Sequence, residues 1–241
     1  MSHAPSSPPA FDPSHPPGLP EPHGSQPVLT DGPPPAESGA AMILVHGRGA
    51  GPGDILELGR AHRVEGFTLL APAAARNTWY PNSFLAPIAA NEPWLSSALA
   101  VLGSLVDRVL DAGVNSERLV LMGFSQGACL ASEFARRNPR RYGAVVAYSG
   151  GVIGPLGTQW NVDADDPAGA AGTLRGTPVF LGCSDVDHHI PVERVHETAS
   201  LFEAMGAEVE KRIYPGMGHL VNHDELTFVQ GLLRTVIGGH S

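Results

Sequence analysis

The sequence has only two cysteines, Cys129 and Cys183, and a single lysine among its 15 basic residues. Two cysteines are too few for a disulfide framework, so both are interpreted as buried thiols. Basic residues form no block, and the formal net charge is −9. This charge disfavours nucleic acid or an anionic membrane surface as the main partner, and a small-molecule partner is expected instead.

Long hydrophobic runs are also missing. No stretch approaches the roughly 20 apolar residues that a membrane-spanning helix needs, and the first residues lack a basic segment followed by an apolar one. We therefore expect a soluble, cytoplasmic protein without membrane insertion. A length of 241 residues suits one domain with a sizeable core.

Apolar periodicity is absent from residues 1–27, which are dominated by proline, serine, histidine and glycine. Such a segment buries too little apolar surface to offset the entropy that is lost on ordering. We predict a flexible N-terminal arm over residues 1–27 and a single domain over residues 28–241. The arm's three histidines, His3, His15 and His23, are irregularly spaced without accompanying cysteines, so they do not indicate a metal site.

From residue 28 onward, apolar runs alternate with amphipathic segments. This alternation predicts an α/β fold with a mostly parallel central sheet and helices on both faces. Residues 150–177 are rich in glycine, aspartate and alanine and are predicted to be an irregular excursion. The predicted strands cover 26–30, 41–45, 66–71, 119–122, 142–149, 178–182 and 209–214, and the predicted helices cover 54–62, 94–113, 126–135, 192–205 and 224–237.

The pentapeptide Gly123-Phe124-Ser125-Gln126-Gly127 joins a predicted buried strand to a predicted helix. In that context Gly-x-Ser-x-Gly is the nucleophile elbow, where the serine occupies a strained turn and the glycines remove side chains that would collide. The same pentapeptide also arises by chance in loops. The strand before it, the helix after it and the later acid and base residues favour Ser125 as a nucleophile.

A second glycine-rich loop, residues 46–51, follows the predicted strand at 41–45. Its glycines allow a tight turn that presents main-chain N–H groups, as an oxyanion hole requires. The main-chain N–H groups of Arg48 and Gln126 are the candidate donors. A phosphate-binding loop is the alternative, but the glycine spacing fits neither common phosphate-binding pattern.

An acid and a base follow Ser125 in the chain. Asp185 and Asp187 come directly after a predicted strand, and either could accept the Nδ1 proton of a catalytic histidine. His219 lies in a glycine-rich loop after a late strand and is the predicted general base. His223 is its competitor, although it begins the final helix, where a solvated or helix-terminal role is expected.

His188 and His189 adjoin these aspartates and raise the alternative of a zinc site. Adjacent side chains usually point apart, however, and the sequence has no His-Glu-x-x-His motif. We therefore predict neither a metal nor another cofactor.

Residues 72–85 are aromatic but interrupted by prolines, which favours a loop over a strand or a long helix. This loop is a candidate wall of a substrate pocket. Ordinary packing of its aromatic residues onto the core is an equally good interpretation. The candidate pocket residues are Trp79, Tyr80 and Phe84.

Four motifs together resemble the phospholipase/carboxylesterase family of α/β-hydrolases, which includes acyl-protein thioesterases and small bacterial carboxylesterases. The resemblance covers residues 28–237, and the motifs occur in the family's order. They are His46-Gly47-Arg48-Gly49-Ala50, Gly123-Phe124-Ser125-Gln126-Gly127, residues 187–191 and Gly216-Met217-Gly218-His219.

The resemblance implies an α/β-hydrolase fold with Ser125 as nucleophile, His219 as base and Asp187 as acid. Asp187 is chosen over Asp185 because the family's acid commonly precedes an x-x-x-Pro segment. The resemblance also implies that the main-chain N–H groups of Arg48 and Gln126 form the oxyanion hole. His188 replaces a proline of many relatives, and Arg48 replaces an apolar residue of the thioesterases, so the substrate is left open.

The expected function is that of a serine carboxylesterase that hydrolyses small soluble esters through an acyl-enzyme on Ser125. Acyl-thioesterase or lysophospholipase activity with the same triad is an alternative. A non-catalytic ligand-binding protein with a hydrolase fold is an alternative of a different class. A homodimer is also left open.

Overall fold

The computed structural model describes residue 12 and residues 18–160 and 173–238. Within these residues, seven strands form one sheet, and six α-helices connect or flank them. The strands are β1 (Val28–Asp31), β2 (Ala41–Val45), β3 (Thr68–Pro72), β4 (Leu119–Phe124), β5 (Ala144–Tyr148), β6 (Pro178–Ser184) and β7 (Glu208–Tyr214). The helices are α1 (Pro35–Ser38), α2 (Pro52–Ala61), α3 (Trp94–Asp111), α4 (Gln126–Arg137), α5 (Val192–Ala204) and α6 (His223–Gly238).

The sheet has the strand order β1-β3-β2-β4-β5-β6-β7. Every neighbouring pair is parallel except β1 with β3. Because the carboxyl ends of parallel strands meet at one edge of the sheet, the loops that follow β2, β4, β6 and β7 gather there. The fold therefore brings together four loops that are far apart in the sequence.

Alternating side chains of the central strands bury both faces of the sheet. Leu119 and Leu121 of β4 lie in one apolar cluster with α3, α4 and α5. Val120 and Met122 point to the opposite cluster, with α2 and α6. Such strands read as continuous apolar runs because helices cover both faces.

The predicted mostly parallel sheet with helices on both faces is confirmed, with element bounds that differ by a few residues. Helix α1 and three short 3₁₀ turns were not predicted. Residues 150–160 contain no helix or strand, and the rest of the predicted excursion up to residue 172 lies outside the described residues. Among the described residues, no helix combines the length and apolar character that crossing a membrane requires.

The end of the predicted N-terminal arm differs from the expectation of a free segment. His23 is fully buried between the rings of Trp79 and Trp94. Its backbone N–H donates to Ser97 Oγ at 2.9 Å. A buried, hydrogen-bonded imidazole therefore anchors this part of the chain. The remaining predictions for the arm, including those for His3 and His15, concern residues 1–11 and 13–17, which lie outside the described residues.

Three buried histidines each use one ring nitrogen as an acceptor. Nδ1 of His23 accepts the N–H of Ala75, and Nε2 of His46 accepts the N–H of Ala74. Nε2 of His62 lies 2.6 Å from the hydroxyl of Tyr148. Burial lowers the pKa of all three imidazoles below the usual value. The folded protein therefore holds these rings in the neutral form.

We predict that the protein loses stability as the pH falls below about 6.5, the unperturbed histidine pKa. Below that pH the unfolded chain binds protons that the buried rings resist, so the unfolding free energy falls by up to about 1.4 kcal/mol per pH unit for each ring. Urea unfolding between pH 8 and pH 5 measures this. His62→Gln should be less stable at pH 8 and should show a smaller loss on acidification.

His196→Gln, at an exposed position of α5, is the matched control and should keep the full loss. The buried carboxyl of Glu225, whose pKa burial raises to about 7, acts in the opposite direction. It is present in every variant, so it cancels in the comparison. Equal losses in His62→Gln and the control would contradict the assignment.

Candidate active site

Ser125 lies at the sharp turn between β4 and α4, with φ of 55° and ψ of −121°. A residue other than glycine is strained there, and such strain persists only where the surroundings enforce it. The surroundings are close backbone contacts. A Cβ on Gly127 would lie 2.0 Å from the carbonyl oxygen of Val45, and one on Gly123 would lie 2.4 Å from the carbonyl of Gly127.

Ser125, His219 and Asp187 form a continuous hydrogen-bonded chain. The Ser125 Oγ atom lies 2.8 Å from Nε2 of His219, and Nδ1 of the same ring lies 2.7 Å from Oδ2 of Asp187. The His219 ring is held between the rings of Phe124 and His189, with centroids 4.9 and 4.8 Å away. A base between a hydroxyl and a carboxylate has the geometry of an activated nucleophile.

The two aspartates after β6 have different partners. Oδ1 of Asp187 accepts the N–H groups of His189 at 2.8 Å and Ile190 at 3.1 Å, and its carboxylate is fully buried. Asp185 instead accepts the N–H of Gly216 at 2.7 Å, in the loop that carries His219. Asp187 is therefore in the hydrogen-bonded chain, whereas Asp185 anchors the histidine loop.

The ionisation of Asp187 follows from these contacts. Burial is the largest single effect and acts to raise the pKa of its carboxyl. Hydrogen bonds from His219, His189 and Ile190 act in the opposite direction and hold the pKa below its usual value. Asp187 is therefore a carboxylate at neutral pH, as the partner of an imidazolium must be.

The other candidate histidines lie outside this chain. His223 is exposed at the first turn of α6. His188 and His189 are exposed and line the cleft in front of Ser125. Within the part of the chain that the structure describes, no group of three or more histidine, cysteine, aspartate or glutamate side chains is arranged to hold a metal ion.

The loop after β2 lies against Ser125. A Cβ on Gly47 would lie 3.5 Å from Cβ of Ser125. In this loop the N–H of Gly49 donates to the carbonyl of Asn77 and that of Ala50 to Gly47. Among the described residues, the N–H groups of Arg48 and Gln126 have no backbone acceptor. Gln126 opens α4, where the first N–H groups of a helix are free by geometry.

The side chain of Gln126 holds the loop of residues 78–82 at the site. Its Oε1 accepts the N–H of Trp79 at 2.9 Å, and its Nε2 donates to the carbonyl of Tyr80 at 2.8 Å. The indole N–H of Trp79 donates to the carbonyl of His46. One buried amide and one indole therefore tie this loop to the elbow and to the loop after β2.

A cleft of about 520 Å³ opens in front of Ser125. Of the three predicted pocket residues, Tyr80 and Phe84 line it. Trp79 does not, because it is fully buried beneath the loop. A smaller, mainly apolar pocket of about 210 Å³ shares Gly47, Ala50 and Phe124 with the cleft.

Three contributors to the site were not predicted from the sequence: the side chains of His23, His46 and Gln126. His46 was noted only as part of its loop, and its ring bonds to Gly47 and Ala74 hold that loop from below. Gln126 was expected to act through its main chain alone. Except for the His46–Gly47 contact, these bonds join residues that are 28 to 56 positions apart in the sequence. No local sequence pattern therefore predicts them.

A family model and a similar solved structure carry the same description. A family model described as Phospholipase/Carboxylesterase matches residues 33–237. The crystal structure of a phospholipase/carboxylesterase from Dyadobacter fermentans is 36% identical, covers 87% of this chain and 97% of that chain, and has a TM-score of 0.80.

Similar sequences include a thioesterase and a probable carboxylesterase. Acyl-protein thioesterase 1 of Gibberella zeae is 31% identical over 131 residues, which are 54% of this chain. The chain spans about half of that protein, 53% of its length. A probable SOBER1-like carboxylesterase of Arabidopsis thaliana is 24% identical over 213 residues, covering 80% of this chain and 77% of that protein.

We predict that Gln126→Ala destabilises the protein by about 2 kcal/mol, because the N–H of Trp79 is left buried without its acceptor. Urea unfolding measures this, and Gln159→Ala, at an exposed position, is the control. The main-chain N–H of residue 126 is retained, so hydrolysis should fall far less than in Ser125→Ala. Equal losses of activity in Gln126→Ala and Ser125→Ala would contradict the separation of the main-chain and side-chain roles of Gln126.

Proposed function

Because the chain belongs to the phospholipase/carboxylesterase family of α/β-hydrolases, we propose that it is a serine carboxylesterase acting on small soluble esters. The observation that carries this proposal is the hydrogen-bonded chain from Ser125 through His219 to Asp187. Beside it lie the main-chain N–H groups of Arg48 and Gln126, for which the described residues supply no backbone acceptor. We assign the activity to a single domain over residues 28–241, in the cytoplasm.

In the first step, Ser125 Oγ attacks the carbonyl carbon of the ester and its proton passes to Nε2 of His219. The ring becomes an imidazolium. Asp187 stabilises this charge through the Nδ1 hydrogen bond and keeps the ring in the orientation that faces the serine.

Negative charge develops on the carbonyl oxygen as the tetrahedral intermediate forms. The main-chain N–H groups of Arg48 and Gln126 are the proposed donors to this oxygen, and preorganised donors of this kind are a large contribution to acyl transfer. The intermediate then collapses. The ester C–O bond breaks, the leaving alcohol takes the proton from His219, and an acyl group remains on Ser125.

Water completes the cycle. His219 removes a proton from a water molecule that attacks the acyl carbon, and the proton returns to Ser125 as the acid leaves. Apart from the ester and the water, the groups that act in both halves of the reaction all belong to the chain itself. No cofactor takes part in these steps.

The size of the cleft supports small substrates. About 520 Å³ in front of Ser125, with about 210 Å³ of apolar space beside it, accommodates a short acyl and alcohol group. In the described residues, no helical segment covers the cleft as a lid. Thioester hydrolysis with the same triad is the second candidate, because a relative of 31% identity is an acyl-protein thioesterase.

We predict that Ser125→Ala abolishes hydrolysis of p-nitrophenyl butyrate, with a loss of about 10³-fold or more, because no other group forms the acyl-enzyme. A fluorophosphonate probe should label the wild-type protein at Ser125 and leave folded Ser125→Ala unlabelled. A folded wild-type protein that neither reacts with the probe nor turns over the ester would instead indicate a non-catalytic ligand-binding protein.

We predict different outcomes for the neighbouring aspartates. Asp187→Asn should lower kcat by about 10³- to 10⁴-fold, because the amide favours the wrong histidine tautomer and cannot stabilise an imidazolium. Asp185→Asn should cost less than about tenfold, because its amide oxygen still accepts the N–H of Gly216. Steady-state kinetics on both variants measures the contrast, and a larger loss in Asp185→Asn would reverse the assignment.

A further inference from the structure

Arg48 faces the cleft with its side chain fixed in place. The guanidinium donates from Nη1 to the carbonyl of Pro81 at 3.0 Å, and from Nη2 to the carbonyls of Tyr80 and Asn82, both at 2.9 Å. All three acceptors are neutral main-chain oxygens. They orient the planar group without cancelling its charge.

Within residues 12, 18–160 and 173–238, the charge of Arg48 has no carboxylate partner, and its three hydrogen bonds all go to main-chain carbonyls. The situation differs at Arg136, Arg194 and Arg212, which each lie within 3 Å of a glutamate. A guanidinium carries five N–H donors, of which Arg48 uses three. Two donors are left for another acceptor.

Among the described residues, the cleft lining includes His188, His189 and His219 but neither aspartate nor glutamate. The carboxylate of Asp187 is buried behind the ring of His219. In a chain of net charge −9, the reactive serine thus lies in a cleft that carries a fixed positive charge.

The direction of the reaction places Arg48 beside the acyl part of the substrate. The leaving oxygen must face Nε2 of His219, from which it takes its proton. The Arg48 guanidinium is bonded to the loop of residues 80–82, and Tyr80 lines the wall together with Phe84. In the proposed mechanism, a group that meets this wall is assigned to the acyl chain.

We infer that the enzyme prefers esters whose acyl chain ends in a carboxylate, and that the guanidinium of Arg48 binds this carboxylate. A substrate of this class is a monoester of a short dicarboxylic acid. This inference rests on the proposed esterase function and adds a substrate class to it. The three carbonyl bonds hold the guanidinium in advance, so little side-chain entropy is lost on binding.

Two p-nitrophenyl esters test the inference: the monoester of glutaric acid, which is an anion, and the matching ester of glutaramic acid, whose terminal amide is neutral and similar in shape. Both release the same p-nitrophenolate. For the wild-type enzyme, kcat/KM for the anionic ester should exceed that for the neutral one by about tenfold or more, chiefly through KM.

Arg48→Gln should reduce this preference to within about threefold of unity. Both absolute rates should fall as well, because Arg48 also holds the loop of residues 80–82, so the ratio is the readout. Arg48→Lys keeps the charge but not the planar fork, and it should retain a preference for the anion. A variant that merely loosens the loop would lower both rates and leave the ratio unchanged.

The outcomes separate the two proposals. Hydrolysis of both esters at equal efficiency, or a preference that survives in Arg48→Gln, overturns the inference and leaves the esterase function intact. If neither ester is hydrolysed, the proposed function fails. Calorimetry then decides the inference alone, because folded Ser125→Ala should bind monomethyl glutarate at least about tenfold more tightly than methyl glutaramate. Equal binding overturns it.

Discussion

The backbone contact between the elbow and the neighbouring strand is the constraint on which the site depends. Gly127 approaches the carbonyl of Val45 so closely that any side chain would collide. This contact holds Ser125 in its strained conformation, with φ of 55°. It also places the loop after β2 directly beside the serine, so one contact positions both the Ser125 hydroxyl and the main-chain N–H of Arg48. The strain at Ser125 is offset by the packing of the parallel sheet around it.

The parallel sheet also brings the other two residues of the hydrogen-bonded chain to Ser125. Strands β4, β6 and β7 end at the same edge and deliver Ser125, Asp187 and His219 respectively. A separate set of buried polar contacts ties the loop of residues 78–82 to this frame through Gln126. Because His23 also packs on Trp79 and bonds to its carbonyl, residues 18–27 contact the same loop.

Most of the fold was predictable because its signals are local. Apolar runs and helical periodicity predicted each described strand and each of the five longer described helices. The elbow motif predicted that Ser125 lies at the turn between β4 and α4. The choice between Asp185 and Asp187 needed the family resemblance, since two aspartates one residue apart present the same local pattern. The structure shows how their contacts differ: Asp185 accepts from Gly216, and Asp187 bonds to His219. The side-chain roles of His23 and Gln126 depend on contacts with residues about 50 positions away.

A crystal structure of the protein with a phosphonate bound covalently to Ser125 tests the central claim most directly, because the phosphonyl oxygen occupies the position of the oxyanion. The account predicts this oxygen within about 2.7–3.1 Å of the main-chain nitrogens of both Arg48 and Gln126, with His219 facing the leaving-group side. An adduct whose oxygen points away from both nitrogens, or a probe bound to another residue, would contradict it.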